Sequence, residues 1–185
     1  MPLPLGHTAI GLATHDLSCK GNSTTNPWKT FLLVLFLANL PDIDILIGLV
    51  IHSNGNVFHR GPTHSLLFAL AMSLLASSAW KIWPRIPRVS LLVSFLLILS
   101  HVLADAILTT APVSFFWPLE VNWQVGLCGW KDVIDSIFLR AFQDVGIIFG
   151  SGMIIVLNRL LRNRVVPFVV ARPAKVMISS MLKGR

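Results

Sequence analysis

The sequence predicts an all-α fold: a polytopic membrane helical bundle of about four spans plus a short N-terminal helix, with one span broken at Pro41. Three observations carry that prediction. Of the 185 residues 54% are hydrophobic and 12% charged, where soluble domains carry roughly a quarter charged residues. The mean hydropathy is +0.73. The apolar residues gather into long runs separated by short polar, proline-containing or basic turns.

Residues 8–17 are too few to cross about 30 Å of hydrocarbon, so they read as a short helix at the interface or packed on the bundle, with His7 at its start. No basic stretch followed by a long apolar core precedes them, so no cleavable signal peptide is expected. Residues 18–27 form a polar linker, and Trp28 and Lys29 suit the headgroup layer. The first span runs from Thr30 to about Ile51 but is interrupted by Asn39-Leu40-Pro41-Asp42-Ile43-Asp44. Proline removes a backbone donor and disfavours helix just before it, and such a break is tolerated where it faces a protein or water-filled cavity. Asp42 and Asp44 are therefore expected to face one.

A second span covers His64 to about Trp83, and Lys81, Arg85 and Arg88 mark a basic turn broken by Pro84 and Pro87. Val89 to about Ala111 makes the third. The loop from Pro112 to Lys131 holds Phe115, Phe116, Trp117, Trp123 and Trp130, which suits an interfacial aromatic belt. The last span covers about Val133 to Leu157. Residues 1–158 thus form one membrane-embedded domain and 159–185 a basic tail.

The net charge of +7 does not indicate nucleic acid, because the cations crowd at segment ends and in the tail, where they meet anionic headgroups. The same distribution puts the tail and the Lys81/Arg85/Arg88 turn on the cytoplasmic side and the loops at 52–63 and 113–132 outside. Cys19 and Cys128 lie far apart, without the spacing of a thiolate metal site.

The chemistry lies in ionisable groups placed where a lipid-embedded chain can least accommodate them. His59-Arg60-Gly61-Pro62-Thr63-His64-Ser65 sets two imidazoles, a guanidinium and two hydroxyls in seven residues. His101 and Asp105 sit one helical turn apart on one face, close enough to share a divalent metal. With the carboxylates of Asp42 and Asp44 they make the mixed nitrogen and oxygen set that zinc or manganese accepts. Each motif alone has a structural explanation, as a helix cap or a buried hydrogen-bonded pair. Together they would require several costly burials at once, about 2.5–3.5 kcal/mol or more for each charge at the bilayer centre.

These motifs, Leu40-Pro41-Asp42-Ile43-Asp44, then His59 to Leu67, then Ser100-His101-Val102-Leu103-Ala104-Asp105 and Phe116-Trp117-Pro118, with Gly6-His7 ahead of them, resemble in order those of the YdjM-like family of membrane-bound metal-dependent hydrolases. The resemblance covers roughly residues 5–135. That family is distantly similar to zinc-dependent phospholipase C and related nucleases, which take His and Asp ligands from a helical bundle. The resemblance implies an inner-membrane location and, as ligands, His7, one of Asp42 and Asp44, His59, His101 and Asp105, with His64 a further ligand or an acid/base. The chain departs from the pattern at Ile45, where many members place a histidine, and Asp132 and Asp135 are second-tier candidates.

The expected function is metal-dependent hydrolysis, with Zn²⁺ or another divalent ion such as Mn²⁺ activating water against a phosphoester or other ester of an amphipathic or lipid substrate. The full metal set under consideration is His7, Asp42, Asp44, His59, His64, His101 and Asp105. Asp42 or Asp44 would orient the water, His64 would serve proton transfer, and Arg60 would hold a phosphate or carboxylate oxygen. The expected partners are membrane lipids and that substrate. Two other readings stay open: a non-catalytic membrane protein with a structural metal or polar network, and a metal or proton transporter, against which the lack of an inverted repeat argues.

Overall fold

The computed structural model describes residues 4–19, 26–108, 112–119 and 140–169. It is helical with no strand among those residues. Helix α1 covers Pro4–Ser18, α2 Pro27–Asn39, α3 Ile43–His52, α4 Leu66–Ile82, α5 Leu91–Leu108 and α6 Arg140–Val169. Short 3₁₀ turns at Leu40–Asp42 and Pro62–His64 precede α3 and α4.

Local chemistry sets these boundaries. The Asn26 side chain accepts from the N–H groups of Trp28 and Lys29, and Pro27 fills the first helical position, where its missing N–H costs nothing. Pro41 cannot donate into the helix, so the chain tightens into a 3₁₀ turn and restarts as α3. That helix ends at Ser53, a left-handed residue (φ 54°) whose N–H bonds back to the carbonyls of Gly48 and Leu49. The following loop folds along α3 so closely that a Cβ on Gly48 would lie 2.7 Å from the Asn54 carbonyl oxygen, and this return carries His59 back to the break. Ser65 caps α4 by accepting from the Phe68 N–H at 3.1 Å.

Three helical stretches are long and apolar enough to cross a membrane: Pro27–His52, which contains the break, Leu91–Leu108 and Asp144–Asn163. The expected second span, α4, is apolar but shorter, 17 residues or about 25 Å. Val34, Leu37, Leu40, Ala69, Leu97 and Ile98 form the core between α2, α4 and α5. Large apolar side chains such as Phe36, Val50, Leu75 and Phe149 point outward, as lipid-facing residues do.

Helix α1 crosses α2 at Gly11, where a Cβ would come within 2.6 Å of the Ala38 Cβ; the bare glycine lets His7 approach the break. The last helix continues past residue 158, and among the described residues its apolar stretch is 144–163; the expected start of this span near residue 133 lies outside the described residues. A polar clasp joins this helix to the end of α1. Asn158 and Arg159 donate to the Asp16 carboxylate at 2.7 and 3.0 Å, and Arg162 donates to the carbonyls of Asp16 and Cys19, each at 2.6 Å.

Burial alone would push the Asp16 carboxyl up, but the hydrogen bonds from Asn158 and Arg159 and the charges of Arg159 and Arg162 outweigh it and hold it below its ordinary value. A carboxylate depressed in the folded state stabilises the fold above its unfolded value near 3.9 and loses that contribution as pH falls through the folded value. Thermal melting followed between pH 7 and pH 3 is expected to show less acid sensitivity in Asp16→Asn than in the parent chain. Equal pH slopes would count against this role.

Candidate metal centre

The break in the first span brings two carboxylates to one place. In a regular α-helix, residues two apart lie about 200° apart around the axis, so Asp42 and Asp44 could not both face the same cavity. The 3₁₀ turn before α3 removes that conflict. Asp44 is buried, and the Asp42 side chain is 14% exposed.

Three further elements supply the remaining side chains. α5 offers His101 and Asp105, both buried on its inner face. The turn at Pro62–His64 places His64 beside them, fully buried. α1 brings His7, whose ring stacks on His101 with centroids 3.7 Å apart and planes 19° from parallel. Ligand atoms of Asp42, His64, His101 and Asp105 all lie within 4.8 Å of one another, as do those of Asp44, His59 and His64. Either group could hold a metal ion, and His64 belongs to both.

Hydrogen bonding at the outer nitrogens fixes how the imidazoles face. His101 Nδ1 lies 2.7 Å from the Ala38 carbonyl oxygen, which can only accept, so Nδ1 carries the proton and a neutral ring presents a lone pair at Nε2. That lone pair faces Asp42 Oδ1 at 3.4 Å. His64 Nδ1 lies 3.2 Å from Asp44 Oδ2, and its Nε2 faces Asp105 Oδ2 at 3.5 Å and Asp42 Oδ1 at 3.8 Å. His59 Nδ1 lies 3.3 Å from Asp44 Oδ1. The Nε2 atoms of His7, His59, His64 and His101 and Oδ1 of Asp42 are buried without a hydrogen-bond partner among the described residues. Lone pairs converging on carboxylate oxygens repel one another unless a cation lies between them. The charges agree: Asp42, Asp44 and Asp105 against Arg60 leave two net negative charges with neutral imidazoles, which one divalent ion cancels.

Asp44 has a different environment from Asp42. It accepts from the Thr63 hydroxyl at 2.6 Å and the Arg60 backbone N–H at 3.2 Å, besides its contacts with His59 and His64. It thus stands where a carboxylate orients metal-binding imidazoles through their far nitrogens. Arg60 reaches this arrangement in a left-handed conformation (φ 65°), which costs a non-glycine residue roughly 1–2 kcal/mol. Its carbonyl accepts from Ser114 N–H at 3.1 Å, and its Nε donates toward Asp105 Oδ2 at 3.4 Å.

The sequence-derived set His7, Asp42, Asp44, His59, Arg60, His64, His101 and Asp105 is therefore brought together. His52 is not part of it; it lies exposed at the end of α3 against the Phe58 ring. His15 is half-buried at the other end of α1, its Nε2 3.4 Å from Cys19 Sγ. Asp132, Asp135, Trp123 and Trp130 lie outside the described residues. Phe116 and Trp117 are exposed as a belt requires, but Phe115 packs inward with Val102, Ala106 and Val113.

Sequence reasoning missed two supporting residues. Asp144 on α6 accepts from the Gly6 N–H at 3.2 Å, next to His7. Asn39 donates to the Thr8 hydroxyl at 2.9 Å and so ties α1 to the break. A polar residue just before the proline break was the available signal for Asn39; nothing in the sequence pairs Asp144 with Gly6.

A model of the YdjM inner membrane protein family matches residues 1–177. The chain belongs to that family. The inner membrane protein YbcI of Escherichia coli (strain K12) is 35% identical to it over 136 residues, 68% of this chain and 75% of that one. No solved structure matches it. YdjM-family membership and the apolar helices together make this an inner-membrane protein.

Proposed function

We propose that this YdjM-family protein is a membrane-bound metal-dependent hydrolase, binding zinc or a similar divalent ion and cleaving a phosphoester or other ester of an amphipathic or lipid substrate. The observation that supports it most is the convergence of bare Nε2 atoms on buried carboxylates. Asp42, His64, His101 and Asp105 would hold the ion, with His7 beside them. A bound divalent ion of this kind supplies Lewis acidity and lowers the pKa of coordinated water to about 7.

The chain's own groups divide the other tasks. Asp44, already accepting several hydrogen bonds, holds His59 and His64 in place. His59, with Nδ1 against Asp44 and Nε2 bare, is a positioned proton acceptor. Arg60 stands at the edge, 11% exposed, where its charge can meet a phosphoester oxygen. The side chains of Asp42, His59 and Arg60 are the most exposed of the cluster, so substrate would enter along that edge.

The test is turnover by zinc-loaded protein in detergent micelles, against bis(p-nitrophenyl) phosphate, short-chain glycerophospholipids and p-nitrophenyl acyl esters. Expected are turnover of at least one class, loss on chelation, recovery on adding zinc, and a drop of about a hundredfold in Arg60→Ala, the scale of losing one charge-stabilising donor. A second reading has its own observation. Four protein donors within 4.8 Å can close a tetrahedral site, as structural zinc sites do. Stoichiometric zinc with no turnover of any class, and chelation that only lowers the melting temperature, would establish that reading instead.

A further inference from the structure

At the opposite end of the bundle, the end of α1, the first half of α2 and the start of α5 enclose a cavity of about 250 Å³. Its lining has two characters. Leu33 and Val93 form an apolar floor, with the buried Val34 and Leu97 behind them, while Ser18, Arg88 and Ser90 are polar. It opens where α2 and α5 begin their apolar runs, so it lies at headgroup depth. Its rim is separated from the metal centre: Arg88 lies before Leu91, the first residue of α5, and His101 is about 15 Å further along that helix.

Cations outnumber carboxylates around this cavity. Lys29 reaches across to the Arg85 carbonyl at 3.4 Å, Arg162 is bound to the carbonyls at the end of α1, and the Arg88 guanidinium lies 4.0 Å above the Trp80 ring, which fixes its position. Among the described residues the carboxylate at this end is Asp16, and it is already engaged by Asn158 and Arg159. A basic rim over an apolar floor matches a ligand that is anionic at one end and apolar at the other.

We infer that this cavity binds the phosphate-bearing headgroup of an anionic phospholipid, with Arg88 on the phosphate and the glycerol and first acyl carbons on Leu33 and Val93. A free phosphate would meet Arg88 but leave the apolar floor unused. Basic pockets between membrane helices are suited to such headgroups, and the charge distribution assigns this end to the cytoplasmic leaflet, where anionic lipid is attracted. The site does not depend on the proposed hydrolase activity.

The test is native mass spectrometry of the full chain in detergent, titrated separately with phosphatidylglycerol, phosphatidylcholine and inorganic phosphate. The parent chain is expected to retain one phosphatidylglycerol about tenfold more tightly than phosphatidylcholine, the scale of one charge-assisted hydrogen bond, and to be unaffected by millimolar phosphate. Arg88→Gln, which removes the charge, and Ser18→Phe, which takes up space, should each abolish the preference. Arg85→Gln, outside the cavity, should keep it. Melting curves show that each variant is folded. An unchanged preference in folded Arg88→Gln or Ser18→Phe overturns the inference, as does equal loss in Arg85→Gln, which indicates a diffuse surface charge. Displacement of lipid by inorganic phosphate also overturns it, because the headgroup alone would then be the ligand.

Discussion

Asp105→Asn and His101→Ala are each expected to abolish stoichiometric zinc binding. Asp105 is the carboxylate most enclosed by cationic and ligating groups, with His7 Nε2 and His64 Nε2 at 3.5 Å and Arg60 Nε at 3.4 Å. Asparagine keeps its shape but removes the charge, and its amide N–H₂ turns donors toward a centre that needs acceptors. His101 supplies a ring whose other nitrogen is fixed by the Ala38 carbonyl, which holds its Nε2 toward Asp42. Elemental analysis of detergent-purified protein reads the metal directly. Melting with and without zinc gives an independent measure, since a ligand at about 100 times its Kd adds about 2.7 kcal/mol to the parent chain and nothing to a variant that cannot bind. Full zinc occupancy in both variants would remove the metal centre as described.

Asp44→Asn is expected to weaken zinc affinity by about 10- to 100-fold without eliminating binding, the usual loss when a partner behind the ligands is changed. The reason is its four donors. The Thr63 hydroxyl, the Arg60 N–H and the imidazoles of His59 and His64 all turn toward this carboxylate, which fixes both rings. Asp42→Asn should cost more, because Asp42 Oδ1 faces the inner nitrogens of His101 and His64. Competition with a zinc-chelating dye orders the two variants. An Asp44 variant that loses zinc as completely as an Asp42 variant would make Asp44 a ligand and give weight to the second group, with His59.

How far the sequence went is clearest at individual residues. Composition and long apolar runs gave the helical membrane bundle, because a lipid environment leaves few ways to satisfy backbone groups. The proline before Asp42 marked the break, and the one-turn spacing of His101 and Asp105 marked their shared face. The different environments of Asp42 and Asp44 were not legible, since they depend on a tight return of the loop after α3. Nor was the left-handed Arg60, as nothing in its neighbours demands φ > 0. The clasp between α6 and the end of α1 was not legible either, since Asn158, Arg159 and Arg162 meet residues more than 140 positions away in the chain.

The residues that meet at the metal centre run from His7 to Asp105, on four segments. A ribosome delivers the N-terminal helix first and α5 only after about a hundred residues have been made. During that interval His7, Asp42 and His64 can already be in the bilayer while the pair from α5 is still in the exit tunnel or the insertion machinery. Metal capture by the full proposed site would therefore follow insertion of α5, and a nascent chain stalled before α5 would hold His7, Asp42, Asp44, His59 and His64 without the pair that completes the cluster.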